Sequence, residues 1–76
     1  MIEMNPTLYD MLLCQARAEK SKALLTLEIL SEKPAGIGDH STSDFYDNAN
    51  EALEALASAD DKIDALINYY SNPIKE

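Results

Sequence analysis

Both glycines of this chain, Gly36 and Gly38, fall within one stretch, Lys33–Ser43, and the sequence on either side reads as helix. From Thr7 to Glu32 there is no glycine or proline. Those two residues are the ones a helix interior resists, one for its backbone entropy and the other for its missing amide. Asn5-Pro6 supplies a start, because Asn caps well and a first-turn proline gives up only an amide with no partner. Pro34 supplies the stop, since the residue before a proline is pushed out of helical space. A second helix is expected from Ser41 or Ser43, either able to cap it, with Asp44 and Asp47 at the positive end of its dipole. Asn72-Pro73 ends it and leaves Ile74-Lys75-Glu76 as a frayed tail. The expected organisation is one all-α domain over residues 1–76: a helix over about 6–32, a loop over 33–43 and a helix over about 43–71. The simplest fold is an antiparallel helical hairpin.

In the second helix Ala49, Ala52, Leu56, Ala59, Ile63, Leu66 and Tyr70 follow 3-4 spacing, and the alanines permit close helix approach. The first helix is less tidy. Met4, Met11, Ala18 and Leu25 recur every seven residues, Leu8, Cys14 and Ile29 lie on neighbouring tracks, and Leu24 to Leu30 crowd more than one face. A helix apolar on several faces needs more than one neighbour. A chain of 76 residues buries only about 60–65% of its unfolded surface, so a lone hairpin is marginal. Cys14 is the only cysteine, which excludes an intramolecular disulfide or a thiolate zinc cluster and suggests a packing thiol in a reducing compartment. Self-association into a homo-oligomeric helical bundle is the remaining source of stability.

A net charge of −8 argues against DNA, RNA or an anionic membrane as a bulk partner. No apolar run approaches the roughly 20 residues that span a bilayer. The short acidic opening Met1-Ile2-Glu3-Met4 is not expected to act as a secretory leader. Catalysis is not expected either. There is one histidine, and neither a zinc-protease helix motif nor a phosphate-loop lysine nor a dinucleotide fingerprint occurs. Asp60, Asp61 and Asp64 could hold a magnesium ion through water, but a solvated acidic face explains them as well, and no metal or cofactor is assigned.

The loop differs in chemistry from a bare turn. Gly36 and Gly38 allow close backbone approach, and Ser41 and Thr42 stand where free amides and the helix dipole attract anions. Lys33 can add a point charge, and His40 can donate a hydrogen bond or stack on a base. These are parts of a phosphate or nucleotide site, and equally parts of a structural corner. Arg17 and Lys20 can lie together on the first helix, with Glu19 and Asp10 near enough to offset them. They form either a solvated stripe or the completion of an anion site on a neighbouring subunit. Tyr9 could stack on a base or pack half-buried, and Tyr46 could wall a pocket near the loop.

The run Pro34-Ala35-Gly36-Ile37-Gly38-Asp39-His40-Ser41 between two helices, with an acidic alanine-rich second helix, resembles small helical-hairpin proteins of tailed bacteriophages. In size and plan the chain is also similar to the phage anti-CBASS and anti-Thoeris sponges. That resemblance implies a non-catalytic oligomer in the cytoplasm of an infected bacterium, sequestering a cyclic di- or oligonucleotide immune signal. From the chemistry of the loop and of the first helix, the ligand-binding residues of such a protein would be Tyr9, Arg17, Lys33, Gly36, Gly38, His40, Ser41 and Thr42. The alternatives are an acidic inhibitor, adaptor or nucleic-acid mimic docking on a basic host protein, and a purely structural hairpin.

Overall fold

A computed structural model describes residues 2–32 and 42–71. The element order is β1 (Ile2–Glu3), α1 (Pro6–Ser31), α2 (Thr42–Tyr69) and β2 (Tyr70–Ser71). The two long helices pack against each other as an antiparallel hairpin measuring 53 × 16 × 14 Å. The Asn5 side chain opens α1 by accepting from the amides of Thr7 at 2.9 Å and Leu8 at 3.1 Å. At the other end the Glu32 amide donates to the Ile29 carbonyl at 3.2 Å, a tightened closing turn. The strand pair was not anticipated from sequence. Ile2 lies opposite Tyr70 and Glu3 opposite Ser71, in parallel register, so helix α2 stops at Tyr69 instead of running on to 71. Segments continuing straight from antiparallel helices would themselves be antiparallel. The parallel pairing therefore requires a change of direction beside a helix end, and Met4-Asn5, lying between β1 and α1, offers the room for one.

The core is a narrow seam of alanines with the larger Tyr9 and Leu66 toward the strand-pair end. Tyr9, Ala16 and Ala23 are the buried residues of α1, and Ala52, Ala59 and Leu66 those of α2. Ion pairs Lys20–Asp60 (3.0 Å) and Lys62–Glu19 (3.1 Å) flank it and set residues 19–20 level with 60–62. In that register Ala23 lies level with the turn between Ala52 and Ala59, and Ala16 with the turn between Ala59 and Leu66. The alanines thus interleave and allow helix axes to approach toward the short end of the usual 8–10 Å range. The α2 track expected from sequence is the packed one, since Ala49, Leu56, Ile63 and Tyr70 are half-buried beside the three buried residues.

On α1 the seven-residue track Met4–Met11–Ala18–Leu25 does not face α2. Met11 and Leu25 are 50% and 56% exposed, Leu8 and Ile29 are also exposed, and the seam uses Tyr9, Ala16 and Ala23 instead. The reason is size: alanine against alanine brings two helices closer than methionine and leucine would. Cys14 is exposed, so it does not serve as a packing thiol in the seam. Among the described residues, no helix is long and apolar enough to cross a membrane.

Candidate functional site

Five of the eight residues expected to bind ligand, Lys33, Gly36, Gly38, His40 and Ser41, lie outside the described residues. Thr42 opens α2, and its side chain is likewise outside the description. The other two sit on α1. Tyr9 is 6% exposed and belongs to the seam, so its ring would stack on a base only if the hairpin opened there. Arg17 is exposed, one residue beyond the buried Ala16.

A continuous helix fixes the spacing of these groups. At about 1.5 Å per residue, Arg17 is roughly 21 Å along the axis from Ser31, where α1 ends, and Tyr9 is roughly 33 Å from it. An arginine side chain spans only a fraction of that gap. Within one chain, therefore, Tyr9 and Arg17 do not converge at the loop-proximal end of α1. Neither do the cations form one patch. Lys20 is engaged by Asp60, and Glu19 by Lys62, across the seam. Among the described residues Arg17 and Lys22 form no ion pair within 4.0 Å. Tyr46 is 60% exposed in the first turns of α2, its ring edge-on to that of Phe45 at 5.7 Å.

None of the family models, curated proteins or solved structures compared with this chain matches it.

Among the described residues a groove runs along one side of the seam. Its larger part, about 650 Å³, has a floor of Ala23, Ala52 and Ala55 and a rim that includes Lys22 and Glu51. A smaller hollow of about 300 Å³ continues it toward Leu12, Ala16 and Leu66. Glu19 and Lys62 line both parts, so their ion pair stands between them as a strut. The groove exists because small residues occupy both sides of the seam; alanine and serine at 23, 52, 55 and 58 were the signal for it. Its rim sets Lys22 and Lys62 against Glu19 and Glu51, a balance that favours no strongly anionic guest. Among the described residues no group of three or more His, Cys, Asp or Glu is arranged to hold a metal ion. Asp60, weighed as a magnesium ligand, is committed to Lys20.

Proposed function

We propose that the chain is a non-catalytic binding protein that assembles with copies of itself and sequesters a cyclic di- or oligonucleotide. This is the activity implied by its resemblance to phage sponges of bacterial immune signals. In this reading the loop supplies the phosphate grip through Gly36, Gly38, Ser41 and Thr42, with Lys33 and His40 beside it. The roughly 21 Å between Arg17 and the end of α1 supports a reading in which Arg17 meets a loop-bound ligand from a neighbouring subunit. Capture without turnover suffices, because mass action alone removes the signal.

The test is thermal denaturation of the full chain against a panel of cyclic and linear nucleotides. A ligand at about 100 times its Kd stabilises by roughly 2.7 kcal/mol, a readily measured rise in Tm. Lys33→Ala and His40→Ala should abolish that rise while leaving the unliganded melt in place. A flat response to every nucleotide would refute the reading.

A second reading has its own support. Asp47, Glu51, Glu54, Asp61 and Asp64 are all exposed along α2, an acidic surface suited to a basic protein partner. Charge reversal at Glu51 and Glu54 would weaken such a complex and leave nucleotide shifts alone.

A further inference from the structure

The hairpin leaves one long apolar stripe uncovered. On α1, Leu8, Met11, Ala18, Leu25 and Ile29 keep 3-4 spacing, interrupted at Gln15 and Lys22. At about 100° per residue the stripe is centred roughly 130° round the helix from the buried Ala16, so α2 does not reach it. Leu8, Met11, Leu25 and Ile29 are 43–56% exposed there, and Ala18 is exposed. Leu8 and Ile29 stand roughly 32 Å apart along the axis, so the stripe runs most of the length of α1.

We propose that this outer face of α1 is a self-association surface whose occupant is α1 of a second copy, packed antiparallel about a twofold axis. Charge selects α1 over α2 for the contact. Within α1, Arg17, Lys20 and Lys22 balance Asp10, Glu19 and Glu28, whereas α2 sets Lys62 against seven carboxylates. Two copies meeting through α2 would press like charges together, and meeting through α1 keeps those surfaces apart. Direction follows from Lys22. A parallel pair would set Lys22 on its own mate, while one antiparallel register pairs the stripe from Leu8 to Leu25. In it Leu8 lies level with Leu25 of the other copy, Met11 with Lys22 and Gln15 with Ala18. The Lys22 stem then covers Met11, with the ammonium reaching water. In this assembly α1 is the inner helix and the acidic α2 the outer one, and Arg17 stays roughly 22 Å from the other copy's Ser31, so a contact between Arg17 and a neighbouring loop would be made by a further copy.

The inference rests on the self-assembly in the proposed function and not on its ligand; its test contains no nucleotide, so its failure is distinguishable from a failure of nucleotide binding. Sedimentation equilibrium of the full chain should return twice the 8.4 kDa chain mass. Leu25→Glu should raise the dissociation constant at least about 30-fold. Ala18→Arg should do the same while retaining the hairpin by circular dichroism, because arginine is nearly as good a helix former as alanine. Leu53→Glu, on α2, should leave the dimer intact. Native Cys14, exposed near the stripe and offset about 8 Å along the axis from its mate, should be bridged by a short bismaleimide, and Ala18→Arg should prevent the link. A monomeric native chain would overturn the proposal and leave the stripe to another partner. A dimer indifferent to Ala18→Arg and Leu25→Glu, or one that Leu53→Glu dissociates, would overturn the choice of face.

Discussion

The seam of alanines makes Ala59→Leu the most informative single change. Ala59 is 0% exposed and lies between the levels of Ala16 and Ala23 on the facing helix. Where axes approach to about 8 Å, no space exists for three further carbon atoms. The helices must separate or the leucine must leave its rotamer, at a cost of about 1–3 kcal/mol. Total stability for a chain of 76 residues is about 4–11 kcal/mol, so the loss is a large fraction of it. At about 2 kcal/mol, Tm should fall by roughly 8–16 °C. Ala57→Leu is the control, because Ala57 is exposed on the same helix and the change there should stay within about 0.5 kcal/mol. Melts followed by far-ultraviolet circular dichroism over a range of protein concentrations separate this effect from any contribution of assembly. If Ala59→Leu melts at or above Ala57→Leu, the helices are not held close by alanine and the seam described above is wrong.

Other consequences are smaller. Asn5→Ala removes the side chain that accepts from both Thr7 and Leu8, and should cost about 1 kcal/mol by denaturant titration. Asp60→Asn breaks the pair with Lys20, whose partners are 41% and 49% exposed, and should cost no more than about 1 kcal/mol, less in high salt. A larger or salt-independent loss would mean that the pair does more than pin the register.

The helices were legible because their signals are local. Asn5-Pro6 and the absence of glycine and proline over Thr7–Glu32 specify α1, and the unbroken alanine-rich 3-4 track specifies the packed face of α2. Which face of α1 would meet it was less legible. The larger residues of the Met4–Met11–Ala18–Leu25 track drew attention, but Tyr9, Ala16 and Ala23 recur at the same interval and pack closer. The strand pair escaped notice because two residues carry no periodicity, and its partners are 68 positions apart in sequence. The residues expected to bind ligand carried type and spacing but no distances. Only a continuous α1 separates Arg17 from its own loop end by roughly 21 Å.

By itself, then, the sequence determined two helices and an excess of apolar surface for one seam, because caps, breakers and periodicity act within a few residues. The tertiary structure decided which of two competing stripes on α1 is buried. Small side chains won the intramolecular seam through closeness of approach. The larger stripe was left facing outward, where the surface for a second copy is now proposed.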